Sequence, residues 1–401
     1  MDIVIQNVSL LGIPHCDHIE RHRDVHIGIQ AGKIAYIGKD CPQGRHIING
    51  TGLIALPGLV DPHTHAIWGG SRAQEFSRRL AGTPYSQILE EGGGILSTVE
   101  KTRALDHHTL LTHAQKRLQS MREQGVTYFE IKSGYGLSPD AEHKLLSVAN
   151  ELGKTYHVIP TFLGAHTIPR EYRSNRSKYV EQIIEQQLPL CAPLAECIDV
   201  YCDRGAFTLD ESIAILKAGK ARGLKIKAHS EQNTHTGIAK AAAELGAISV
   251  EHLEYAQEED IAAMAANNTV AVLLPGAQLY LKDRSPPVQA LREAGVAMAL
   301  GTDLNPGSSP VFQLMTCATL ACIIQGFTIE EALLGITTHA GKAIGDPNAG
   351  KIQIGGPANL SLFTPPPGDP VELESLVQSM GFPICKLTIQ SGQIVHTTLA
   401  E

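Results

Sequence analysis

The sequence of 401 residues is 43% hydrophobic and 18% charged, with a formal net charge of -8 and a pI near 6.1. That is enough apolar material for one big barrel or for two to three average domains. No basic cluster marks a surface for nucleic acid or an anionic membrane, and no stretch approaches the ~18 apolar residues that span a bilayer. The opening MDIVIQNVSL lacks the basic and apolar regions of an export signal, and the cysteines include no CxxC pair; reduced thiols in a cytoplasmic protein are the expectation.

Over residues 1–57, short β-type runs such as DIVIQNVSLLG and DVHIGIQAGKIAYIG alternate with Gly and Asn turn signals, which predicts a small antiparallel β unit. From residue 58 the rhythm changes. Apolar runs are now separated by long helix-compatible stretches such as DHHTLLTHAQKRLQSMREQG, the pattern of a parallel βαβ sheet. The runs are LVDPHTH (59–65), VTYFEIKSGYG (126–136), HVIPTFLGAH (157–166), IDVYCD (198–203), LKIKAHSE (224–231), AISVEHLE (247–254), VAVLLPG (270–276) and VAMALGTD (296–303). They predict a closed (β/α)8 TIM barrel over 58–345, with catalytic groups at the C-terminal ends of its strands. Later β-type runs, ANLSLFTPPP and CKLTIQSGQIVHTT, resemble the opening ones. Segments 1–57 and 346–401 are therefore expected to form one composite β-sandwich domain of this α/β protein.

His63 and His65 stand two apart at the end of the first barrel run, so both imidazoles share one strand face. Taken alone, this pair reads equally well as two polar residues at a strand end. Pro57 and Gly58 mark the start of the run, however, Pro62 fixes the backbone before the pair, and His229, His252 and Asp303 each terminate a later run. Neutral imidazoles with a carboxylate are a ligand set for a borderline divalent metal, leaving a position for water whose pKa falls towards ~7. Asp303 is placed to bind the metal, to accept the proton of the attacking water, or both. Helix capping is its structural alternative, although GTDLNPGSSP is not an obvious helix start.

PGLVDPHTH, the lone His of the fifth run, the EH of the sixth and the GTD of the eighth resemble the amidohydrolase superfamily, over essentially the whole chain. Many members hold two metals bridged by a carbamylated lysine at the end of strand four, but IDVYCD offers no lysine. The resemblance therefore implies one metal per chain, zinc or iron, on His63, His65, His229 and Asp303, attack by a metal-bound hydroxide, and His252 as a polarising group beside it. It also implies a cytoplasmic homodimer.

The loops GGSRAQEFSRRLAGTPYSQILEEGGGI, SGYGL, TFLGAHTIP, HSEQ and DLNPGSSP are similar to those of superfamily members that open 4-imidazolone-5-propanoate to N-formimino-L-glutamate in histidine breakdown. On that resemblance Arg72 and Tyr85 hold the propanoate, while Tyr135, His166, Gln232, Asn305, Gly307 and Ser308 line the ring pocket; His166, at the end of the third run, is placed to donate to the ring carbonyl, with a structural histidine as the alternative. The residues agree in part: a small anion calls for a cationic fork, which Arg72 supplies, although Arg78, Arg79 and Arg103 lie in the same region. Some relatives have a glutamate where this chain has Gln232, with Glu231 just before it. An amide is no general base, so Gln232 is expected to hydrogen-bond the ring and proton transfer falls to Asp303 and His252. The rivals are a single-metal guanine or cytosine deaminase, which needs a glutamate such as Glu231 beside the strand-five histidine, and a non-catalytic scaffold of the dihydropyrimidinase type, which would have lost its ligands.

Overall fold

The computed structural model describes residues 1–83, 87 and 91–399. It opens with five strands: β1 (Ile3–Pro14), β2 (Ile19–Gln30), β3 (Lys33–Gly38), β4 (His46–Asn49) and β5 (Ile54–Pro57). β1 pairs antiparallel with β2, and β2 with β3. β4 and β5 instead run parallel to β1, so the opening unit is mixed rather than antiparallel. Alternation along a run reports which face a side chain occupies and not which strand lies beside it, so the pattern carried no sign of these crossovers.

The barrel follows, with β6 (Leu59–Asp61), β7 (Val126–Lys132), β8 (His157–Ala165), β9 (Cys197–Val200), β10 (Lys225–Ile226), β11 (His229–Ser230), β12 (Ser249–His252), β13 (Val270–Leu273) and β14 (Met298–Leu300). β6 to β10 pair in parallel and in order, as do β11 to β14. β10 and β11 are one barrel strand. The residues between them stay bonded to both neighbours, through Lys227 N to Ile198 O and Glu251 N to Ala228 O. The ring closes between first and last strands at a parallel bridge of Thr64 with Leu304. There the Asp303 amide donates to the His63 carbonyl and the His65 amide to that of Leu304, both at 3.0 Å. Barrel closure itself thus brings three of the expected metal ligands together.

β15 (Leu360–Phe363), β16 (Cys385–Gln390) and β17 (Gln393–Thr397) return to the opening unit, and β15 pairs antiparallel with β5. The two chain ends form one continuous eight-stranded sheet. Its two faces have separate tasks, set by the period of two. Ala55, Leu360 and Leu362 pack with Ile27 and Ile29 in the sheet's own core, whereas Ile54, Leu56 and Phe363 join the barrel's apolar cluster. Each such large side chain contributes about 1.5–3 kcal/mol relative to exposure, so the sheet is anchored on the barrel by burial.

Two outer helices begin on capping boxes at Thr208 and Glu211 and at Thr328 and Glu331. Among the described residues no helix is long and apolar enough to cross a membrane.

Candidate active site

At the C-terminal mouth of the barrel, donor atoms gather in overlapping sets of three: His63, His65 and Asp303; His63, His229 and His252; and His65, His166 and His229. His63 Nε2 lies 3.4 Å from Asp303 Oδ1, His65 Nε2 lies 3.5 Å from the same oxygen, and His229 Nε2 lies 3.3 Å from His65 Nε2. All four residues are buried. Neighbouring donors on a tetrahedral cation with bonds of ~2.0–2.2 Å stand about 3.3–3.6 Å apart, the range in which these three separations fall. His63 Nε2 is buried with no hydrogen-bond partner in the protein, as a ligand atom awaiting a cation would be. The residues present therefore fit a divalent metal. Burial holds the His65 and His252 pKa values well below the usual range, so both rings are neutral at pH 7. No helix starts at Asp303, since the next begins at Leu314; capping is not its role.

The strand ends that carry these groups are bent. Glu231, His252, Leu253 and Asp303 all have positive φ, between 50° and 77°. Such backbone costs of order 1–3 kcal/mol per non-glycine residue. At β12 the reason is visible. Consecutive strand residues point to opposite faces, yet Glu251 and the next residue both face the barrel interior: Glu251 Oε2 is 2.6 Å from His63 Nδ1, and the His252 ring is centred 5.7 Å from the His63 ring. The left-handed turn at His252 (φ 77°) swings it back into the mouth.

Beneath the donors lies a set of charges that the sequence reading missed. Lys132 contacts Glu130, Asp199 and Glu251, and Lys227 contacts Glu251, all with fully buried side chains. Burial opposes the Lys132 charge, but Asp199, Glu130 and Glu251 outweigh it and hold the ammonium well above its ordinary range. The available signal was the charged residues inside the apolar runs: Glu130 and Lys132 in FEIK, Asp199 in IDV, Lys227 in IKAH and Glu251 in VEH. Asp61 fixes the first strand end against the eighth, accepting from Thr302 N, Thr302 Oγ1 and His63 N.

Around the donors the expected pocket residues assemble unevenly. Tyr135 and His166 are buried, with ring centroids 5.8 Å and 4.9 Å from that of His65. His166 Nδ1 lies 3.0 Å from the Gly134 carbonyl, which can only accept, so the ring proton sits on Nδ1. Burial lowers its pKa to about 3, leaving Nε2 without a proton. This tautomer leaves Nε2 able to accept rather than donate, the opposite sense to the expected donation to a ring carbonyl. Arg72 is braced by Glu75, with Nε to Oε2 at 3.0 Å, and Glu75 also accepts from Gly94 N at 3.0 Å in the glycine loop. Its guanidinium lies against Gly307, where a Cβ would come within 1.9 Å of Nη1. The other arginines are engaged elsewhere: Arg78 with Glu91, Arg79 over the Tyr280 ring, and Arg103 on the carbonyls of Gly136 and Leu137. Tyr85 lies outside the described residues.

Asn305 braces the strand-eight loop. Its Oδ1 accepts from the amides of Gly307 and Ser308, each at 2.8 Å, and its Nδ2 donates to Asp303 O and Ser308 Oγ. Glu231 is fully buried and turned into the helix Ile238–Glu244, accepting from Thr236 N and Ala239 N. Gln232 remains half-buried beside it. One further acid was not foreseen. Glu254 is buried, with Oε2 unpartnered and 3.9 Å from His252 Nδ1; burial raises its pKa well above the usual carboxylate range.

Comparison with known proteins agrees with this geometry. Residues 54–395 match the amidohydrolase family. The chain is 43% identical over 382 residues to an imidazolonepropionase of Shewanella baltica, the match covering 92% of each chain. It is 41% identical over 381 residues to an imidazolonepropionase of Shewanella frigidimarina, again covering 92% of each. Among solved structures, a guanine deaminase from C. acetobutylicum with bound guanine aligns with a TM-score of 0.72 at 17% identity, covering 98% of this chain and 99% of that one. An atrazine chlorohydrolase from Arthrobacter aurescens complexed with zinc aligns with a TM-score of 0.72 at 16% identity, covering 100% and 97%. At such identities these two share the fold alone.

Proposed function

The chain belongs to the imidazolonepropionase family of amidohydrolases, and from that premise we propose that His63, His65, His229 and Asp303 hold one divalent cation, zinc or iron, at the centre of its ring-opening chemistry. The enzyme is a hydrolase of cyclic-amide C–N bonds in histidine degradation, converting 4-imidazolone-5-propanoate to N-formimino-L-glutamate. The observation that carries the metal assignment is the buried cluster of His63, His65 and Asp303, with His229 Nε2 3.3 Å from His65 Nε2. A single cation is supported by the fourth barrel strand, Cys197–Val200, which carries no lysine to form the bridging carbamate of two-metal relatives.

A divalent cation bound there supplies Lewis acidity and a water ionised near neutral pH. The chain's own residues do the rest. Arg72, stiffened by Glu75, takes the propanoate carboxylate, with Tyr85 assigned to the same end. His166 Nε2 accepts from a ring N–H, and the Gln232 amide hydrogen-bonds the ring. Tyr135, whose buried phenol stays protonated, closes the pocket with Asn305, Gly307 and Ser308. His252 polarises the ring carbonyl. Asp303 takes the proton of the attacking water and returns it to the ring nitrogen as the C–N bond breaks. We further place the enzyme in the cytoplasm as a homodimer acting on a small anion, without nucleic acid or membrane; eight free cysteines agree with a reducing compartment.

The deaminase rival lacks its glutamate, because the Glu231 carboxylate is committed to Thr236 and Ala239. The test is the product. Purified, metal-loaded protein should form N-formimino-L-glutamate from imidazolone propanoate, whereas inactivity there with ammonia released from guanine or cytosine would overturn the reading.

A further inference from the structure

The charges beneath the metal donors tie two of those donors together. Lys132 Nζ lies 2.7 Å from Asp199 Oδ2 and 3.0 Å from Glu251 Oε2. The same two oxygens face the rings above: Asp199 Oδ2 is 3.0 Å from His229 Nδ1, and Glu251 Oε2 is 2.6 Å from His63 Nδ1. One ammonium therefore spans two carboxylates, and each carboxylate addresses the rear nitrogen of a different ring. Each is also pinned at its other oxygen. Asp199 Oδ1 accepts from His229 N at 3.0 Å, and Glu251 Oε1 is 2.7 Å from Lys227 Nζ. Lys227 in turn donates to Pro62 O at 3.2 Å, Ser249 Oγ at 2.9 Å and Ala343 O at 3.3 Å.

A ring whose Nδ1 proton points at a carboxylate presents the Nε2 lone pair to a cation, with its orientation fixed. His63 Nδ1 and His229 Nδ1 meet these carboxylates at contact distance without hydrogen-bond geometry, and Lys132 Nζ bridges the two carboxylates, donating to Asp199 Oδ2. We propose that Lys132 is a positioning residue for the metal centre, clamping Asp199 and Glu251 so that His229 and His63 act as one preset pair of ligands. The inference rests on the reading of those two histidines as ligands. Stability alone would not test it, because buried ion pairs contribute little net folding energy against apolar replacements.

The test uses the full-length protein with Co(II) as the probe, read by chelator competition and by visible d–d absorption. Asp199→Asn and Glu251→Gln keep side-chain shape and remove one negative charge from a cluster of three carboxylates and two ammonium groups, and denaturation curves run alongside establish that each variant is folded. Each is expected to weaken Co(II) binding about 10–100-fold and to shift the absorption. The double variant should bind no more weakly than the weaker single, because both act through one clamp, and Lys132→Met should reproduce its spectrum. Unchanged affinity and spectra in the singles, or losses that multiply in the double, would overturn the clamp. His229→Ala binding Co(II) as tightly as the unaltered enzyme would instead remove the ligand assignment beneath it.

Discussion

The guanidinium of Arg72 occupies the space that Gly307 leaves empty: a Cβ at position 307 would stand 1.9 Å from Nη1. This contact joins the loop after the first barrel strand to the loop after the eighth. Gly307→Ala should therefore displace Arg72 and mimic Arg72→Ala. Losing a charge-assisted hydrogen bond to the carboxylate costs about 1.5–3 kcal/mol, or about 10–150-fold in kcat/KM, and should fall mainly on KM. Metal content should stay the same in both variants. Steady-state kinetics with imidazolone propanoate decides, and an unaltered KM in Arg72→Ala would remove it as the anion clamp.

Asp303→Asn tests proton transfer. The amide keeps the side-chain outline but cannot take a proton, so kcat should fall about 10²–10⁴-fold with a smaller change in KM. Metal analysis run alongside separates this from loss of the cation. A metal-loaded variant with undiminished kcat would move the proton relay to another group.

Glu231→Gln separates the family reading from the deaminase one. Its carboxylate serves the amides of Thr236 and Ala239 at a helix start. The amide variant should lose about 1 kcal/mol of stability, as cap variants do, and keep its kcat. A collapse of turnover with normal stability would mean that Glu231 faces the chemistry.

His157 supplies a pH prediction away from the metal. Burial is the main cause holding its pKa below 6.5, so the folded state favours the neutral ring. A depressed histidine pKa leaves stability level above the unfolded value and removes it as pH falls from about 6.5 towards the folded value, because the unfolded chain binds the extra proton first. His157→Gln should therefore lose less stability than the unaltered enzyme between pH 7 and the acid side of that window. Parallel denaturation curves at each pH would contradict it.

How much of this was legible in the sequence follows from what pattern can report. All eight barrel runs proved to be strands, and their polar ends, His63, His65, His229 and Asp303, were readable because strand ends are marked locally. Partner identity is not local. Lys132, Asp199, Glu251 and Lys227 come from four separate barrel strands, and only register sets one ammonium against two carboxylates. The parallel pairing of β4 and β5 with β1 escaped for the same reason. The hydrogen-bonding sense of His166 was not legible, because its tautomer depends on the Gly134 carbonyl, which no motif encodes.

The central claim is one cation on four named donors, and anomalous diffraction at the metal edge tests it most directly. The account predicts a single peak per chain, about 2.0–2.2 Å from His63 Nε2, His65 Nε2, His229 Nε2 and a carboxylate oxygen of Asp303. Two peaks bridged through Lys132, or one peak bound by His252 or His166 in place of Asp303, would contradict it.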